Sequence, residues 1–296
     1  QCGNGGLLYL SGNHFNLLIQ NNNIINNYGG TGVFINSNGG ISQITNNNFE
    51  NNVVINGLLY FTHHQSFFKN NYFYSNLGRK GTDLYLDFSY VISNDNIFFR
   101  SQSQDIGGSV YLEKGSIFQS QDDLFNRTQS ATRGGAIVVY DQSSQLFLNR
   151  AIFLSSQSSA GGCIYANKGS LYISNSLFKN NRGSSGGVLY TEGSQVNIRN
   201  SEFNLNNAVL SGGALYASIN SKIYTNDTIF TDNFVQRDGG VGYFSLSSSW
   251  HCFNCSINKN NATSQGGVAL LANGNIYFYK SAILNNYALS GSVVYD

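Results

Sequence analysis

Gly161-Gly162-Cys163-Ile164-Tyr165, then Leu171-Tyr172-Ile173, then Phe178-Lys179-Asn180-Asn181, then Gly186-Gly187-Val188-Leu189-Tyr190: this stretch holds one full period of a pattern that spans the chain. The Gly-Gly marker recurs at Gly107-Gly108, Gly134-Gly135, Gly212-Gly213, Gly239-Gly240 and Gly266-Gly267. Degenerate copies extend it through Gly5-Gly6, Thr31 to Ile35, Asn56 to Tyr60, Gly81 to Tyr85, and Gly291 to Tyr295. Successive markers lie 25 to 27 residues apart. A period this regular over the whole length is the signature of a solenoid, and it must be settled before any motif is read as chemistry.

Each period carries a second marker, an apolar residue followed three positions later by Asn, Ser or Thr. Phe49/Asn52, Phe73/Asn76, Phe178/Asn181, Phe203/Asn206 and Phe230/Asn233 are full copies. Between the two markers lies a third apolar run, such as Leu146-Phe147-Leu148 or Ile276-Tyr277-Phe278. Three short β-branched and aromatic runs separated by Gly, Asn, Ser and Asp read as strands and turns. No run reaches helical length. Each strand can pair only with its equivalent in the next coil, which predicts an all-β, single-stranded right-handed parallel β-helix. About eleven three-strand coils of about 26 residues, at a strand spacing of about 4.8 Å, make a rod of roughly 50 Å. Residues 1–296 form one continuous domain, read as a segment of a longer array or a filament protomer.

The columns sharpen this expectation. The position three after the Phe is Asn in eight coils of eleven, which suits a hydrogen-bonded side-chain ladder at a turn. The position three before it is also mostly Asn, at Asn21, Asn46, Asn70, Asn175, Asn200 and Asn254, and is expected to join such a ladder. The Gly-Gly step would supply positive φ at a corner. Proline is absent, as a chain that needs every N–H for its ladders requires.

The tetrapeptide Gly134-Gly135-Ala136-Ile137 together with the Phe-x-x-Asn copies resembles the GGAI/FxxN repeats of chlamydial polymorphic outer-membrane proteins. Similar repeats occur in protist surface proteins. The resemblance covers the whole chain and implies a pectin-lyase-like right-handed β-helix on a surface protein.

Charged residues make up 10% of the chain and the net charge is +1, which argues against nucleic acid or an anionic membrane as partner. No apolar stretch reaches transmembrane length. The chain opens at Gln1 without Met, which suggests a processed or excerpted segment from which a signal peptide has been removed. Four N-glycosylation sequons start at Asn126, Asn226, Asn254 and Asn261. Asn126 and Asn261 are expected on turns just past the Phe strand; Asn226 and Asn254 lie at the preceding corner, where they could belong to the ladder.

Several residues invite a chemical reading. Asp95, Asp122 and Arg150 occupy the corner column of successive coils, with Arg100, Asp123 and Arg127 near them in sequence. The resemblance implies that such carboxylates could serve a polysaccharide lyase or hydrolase; an ion pair inside an Asn ladder explains them as well. Asp87, Glu113 and Glu192 read as a solvated edge. A column of Tyr that includes Tyr60, Tyr85, Tyr111, Tyr165, Tyr190 and Tyr216 alternates with aliphatic residues. It is either a covered or binding outer surface, or an inward stack with bonded hydroxyls. Cys252 and Cys255 could form a local disulfide or stay as thiols, Cys163 is a small buried residue, and Cys2 could pair outside the chain. His63-His64 reads as a solvated loop. No cofactor or metal site is expected. The expected function is a non-catalytic extracellular or cell-surface structural or adhesive protein, self-associating end to end or laterally, or binding glycans and surface proteins.

Overall fold

Residues 2–4, 6–12 and 15–296 are described in a computed structural model. Gly5, the first glycine of the N-terminal marker, and the side chain of Cys2 lie outside the described residues. The apolar runs form strands, and each pairs in parallel with its equivalents in the coils on either side. Leu171, for example, sits between Leu146 and Val196. The result is a right-handed parallel β-solenoid of about eleven turns, and no helix occurs among the described residues.

Three long sheets run the length of the rod. The tyrosine sheet follows the Gly-Gly step, for example Leu189–Glu192. The five-residue strands of the long sheet follow it, for example Gln195–Arg199. The phenylalanine sheet comes next with three-residue strands such as Glu202–Asn204. A fourth, interrupted edge that the apolar pattern did not resolve closes most coils, with strands such as Gln102–Ile106 and Asn207–Ser211. Most of these segments are short or polar, such as Leu77–Lys80 and Arg182–Ser185, and lack the run of β-branched residues that marks a strand in sequence.

Inside, Phe49, Phe73, Phe98, Phe125, Phe153, Phe178, Phe203 and Phe230 stack at centroid distances of 4.6 to 4.9 Å. That matches the spacing of the strands that carry them. All eight are fully buried, each contributing roughly 1.5–3 kcal/mol of burial.

The two glycines of each marker have different jobs. The first takes the positive φ, 67° at Gly161. The second makes room for the next coil: a Cβ on Gly135 would lie 2.1 Å from the carbonyl oxygen of Gly162. In the copy at 31–35 the register differs from the sequence expectation by one residue. Ile35 pairs with Leu8 and Leu59, so Asn36, not Ile35, takes the tyrosine position.

The corner column needs a similar correction. Asn21, Asn46, Asn70, Asp95, Asp122, Arg150, Asn175, Asn200 and Asn254 are exposed and all have φ between 46° and 59°. They turn the chain, and Asn and Asp are the non-glycine residues that tolerate this conformation best. The internal ladder is built one residue later, by Asn22, Asn47, Asn71, Asn96 and then Asp123. Asn47 Nδ2 donates to Asn71 Oδ1 at 3.0 Å, and its backbone N–H donates to the same oxygen at 3.0 Å. The expected ladder after the Phe is present, with Asn206 Nδ2 donating to Asn233 Oδ1 at 3.0 Å.

Both ladders meet a carboxylate where the asparagines stop. Asn96 donates to Asp123 Oδ1 at 3.2 Å, and Asn76, whose next neighbour in the column is Ser101, donates to Asp83 Oδ1 at 2.9 Å. Each ladder asparagine hands one N–H to the next coil, and where that coil offers no further acceptor the last member has only to accept. Aspartate meets that requirement. Burial drives the Asp83 carboxyl up to about 7 and the Asp123 carboxyl up to about 6, against the donors around them.

Candidate functional site

The outward positions of the long sheet form a face where aromatic and amide side chains converge. A strand of this sheet alternates outward, inward, outward, so its first, third and fifth residues face away from the core. The central outward column passes through Ile92, Gln119, Phe147, Tyr172 and Asn197 in adjacent coils. Phe147 and Tyr172 lie 4.8 Å apart with their planes 9° from parallel. Beside them run Asn94, Gln121, Asn149, Ser174 and Arg199 in the fifth position. With Gln195 these residues line an open trough of about 750 Å³. Tyr90 Oη donates to Gln119 Oε1 at 3.0 Å, and Ser174 and Asn175 donate to Asn149 Oδ1. The side chains of Asn94, Gln195, Asn197 and Arg199 have no hydrogen-bond partner among the described residues. A second aromatic run, Tyr224, His251 and Tyr277, continues the column beyond Asn197. Burial, then Lys222, lowers the His251 pKa.

The tyrosine column faces outward too, since Leu84 and Leu86 on either side of Tyr85 belong to the main core while Tyr85 does not. Its middle is closed over rather than open: Tyr85, Tyr111 and Tyr165 are only 7%, 3% and 1% exposed. Tyr85 and Tyr111 both donate to Glu113, at 2.8 and 3.1 Å, and Tyr165 donates to Glu192 at 2.6 Å. Burial, reinforced by these carboxylates, drives all three phenols far above their ordinary pKa. Asp87 is 5% exposed and accepts from Lys114 Nζ at 2.7 Å. The expected solvated acidic edge is therefore a partly buried row in which Glu113 and Glu192 accept from the tyrosines and Asp87 from Lys114. The acids lie one pleat along from the tyrosines on the same outer face, which the polar character of the residues alone does not reveal.

The residues that the resemblance offers to a polysaccharide lyase or hydrolase, Asp95, Asp122 and Arg150, are only partly assembled. Arg150 Nε and Nη2 each donate to Asp122, both at 2.7 Å, on an exposed corner. The Arg150 guanidinium holds the Asp122 carboxyl below the usual range. Asp95 contributes only a more distant field at Arg150. Asp123 points into the core, and Arg100 and Arg127 occupy the other left-handed corner. An exposed pair of this kind is screened by solvent and adds little to stability.

The sequons sort differently from the sequence expectation. Asn126 and Asn261 are on strands, not turns: Asn126 ends Leu124–Asn126 and Asn261 starts Asn261–Ala262. Both are half-buried, and the Asn261 Oδ1 is enclosed without a partner. Asn226 and Asn254 are exposed, and Asn254 donates to Asp227 on the neighbouring corner instead of joining a ladder. Cys252 and Cys255 form a disulfide with Cα atoms 6.0 Å apart, and Cys255 takes the internal ladder position. Cys163 is fully buried, as its column suggested. His63 is exposed and stacks on Phe88, but His64 is buried rather than solvated. It stacks on Phe61 and bonds to Ser37 and Ser42, and burial lowers its pKa.

Compared with family models, curated proteins and solved structures, the chain finds no match.

Proposed function

We propose that this chain is a non-catalytic extracellular or cell-surface β-solenoid of the GGAI/FxxN type, a structural or adhesive scaffold that offers its outer face to glycans and other surface proteins. The observation that carries this reading is the trough on the long sheet, an exposed aromatic and amide surface on a rod whose interior is filled by stacked ladders. The mutual engagement of Asp122 and Arg150 on an exposed corner supports an ion pair over a catalytic acid. The outward row Tyr72, Ile97 and Ile152 on the phenylalanine sheet, each more than a third exposed, supports lateral self-association. The sequons support a secreted, glycosylated product.

The test is turnover. Purified protein incubated with pectins, alginates and glucans is expected to release no new reducing or unsaturated ends. Turnover abolished by Asp122→Asn would replace this reading with a polysaccharide-active enzyme. Sedimentation velocity across a concentration series tests association, with loss of the larger species expected in Ile97→Lys.

A further inference from the structure

The trough has a chemical character more specific than a general adhesive surface. Its floor is the Phe147 and Tyr172 pair, and its two neighbours in the column, Gln119 and Asn197, are amides. A lipid or other continuous apolar ligand would bury the Gln119 Nε2 donors and the whole Asn197 carboxamide without partners, at a cost of about 1–3 kcal/mol for each unsatisfied group. An extended peptide would find no backbone to pair with, because each trough strand already bonds to a neighbour on both sides and no edge is free. No carboxylate lines the trough and Arg199 is its single cation, so a polyanion gains little there. A sugar ring matches what remains. The C–H groups of one ring face pack against the exposed apolar edges of Phe147 and Tyr172, whose π faces are turned toward each other. The hydroxyls around the ring edge both donate and accept, as do the carboxamides of Asn94, Gln195 and Asn197. Five coils at about 4.8 Å make the lined region about 19 Å long and elongated along the rod.

We infer that this trough binds an unbranched, uncharged polysaccharide segment laid along the solenoid axis, with its sugar rings packed against Phe147 and Tyr172. This rests on the non-catalytic binding reading above and names its ligand class.

Calorimetric titration of the intact chain with cellohexaose, xylohexaose, mannohexaose, chitohexaose and hexagalacturonate tests it. Chromatography of each sugar afterwards separates binding from cleavage. At least one neutral hexamer is expected to bind and to be recovered intact. The double variant Phe147→Ala/Tyr172→Ala should weaken that binding by about tenfold or more, since two aromatic contacts are removed. Leu154→Ala, on the phenylalanine sheet, should leave it unchanged. Both aromatic changes are on the outer face, so circular dichroism should show the fold intact. Absence of binding by all four neutral hexamers, binding confined to hexagalacturonate and lost in Arg199→Ala, or unchanged binding in the double variant would each overturn the inference. Cleavage of a bound hexamer would instead overturn the non-catalytic reading while leaving the trough as its binding site.

Discussion

Replacing Asp123 by asparagine should make the protein more stable at pH 7.5 than the wild type, and should do so only there. Asp123 is fully buried and accepts from Asn96 and from Ser120 Oγ at 2.7 Å. Its folded pKa, about 6, stands above the ordinary 3.8 because desolvation outweighs those donors. A folded state that holds its proton more tightly than the unfolded chain loses stability as pH rises. The contribution is fully present below about pH 4 and is gone once pH has passed about 6. Two units at 1.36 kcal/mol each make the loss about 3 kcal/mol. Asparagine keeps the Oδ1 acceptor for Asn96 and carries no charge. Its Nδ2 would face the carbonyls of Gln121 and Ser93, equivalent to those of Thr45 and Ile19 that Asn47 already uses. Urea melts of both proteins at pH 4 and pH 7.5, followed by far-ultraviolet circular dichroism, read the difference directly. Comparing variant with wild type cancels the pH response of every other carboxylate. The expected result is a relative gain of about 3 kcal/mol for Asp123→Asn on going from pH 4 to pH 7.5. An identical stability difference at the two pH values would refute the argument that a buried, ionising ladder terminus limits stability.

Asp83→Asn should behave in the same sense over a window reaching about pH 7, and the same melts check it. Phe153→Ala, in the middle of the aromatic stack, should cost about 3–5 kcal/mol in urea unfolding. Gly162→Ala should lower the thermal midpoint sharply, because its Cβ would meet the Gly187 carbonyl oxygen at 2.1 Å, whereas Arg150→Ala should leave the midpoint nearly unchanged. In a secreting eukaryotic host, Asn226→Gln and Asn254→Gln should each remove one glycan mass from the intact protein, with a larger occupied fraction than at the half-buried Asn126 and Asn261.

The solenoid, the Phe column and the ladder that follows it were legible in the sequence, because those features repeat at a fixed phase and depend only on which residue types recur. The sequence also placed Cys163 in the core, from the small residues that share its column. What the tertiary structure decided lies one residue or one coil away. Asn46 and Asn47 are the same residue type side by side, yet the first turns the chain in a left-handed conformation and only the second reaches inward to Asn71. Composition cannot separate them, because asparagine suits both a left-handed corner and a buried ladder. Asp122 and Asp123 divide in the same way into a surface ion pair and a buried terminus. Most of the fourth edge is polar, and its few apolar stretches, such as Ala208-Val209-Leu210, do not recur from coil to coil. The trough was hidden for another reason. Gln119, Phe147, Tyr172 and Asn197 are separated by 28, 25 and 25 residues. They become neighbours only when backbone pairing fixes the register of coils of unequal length, and that register is set by the ladders acting together.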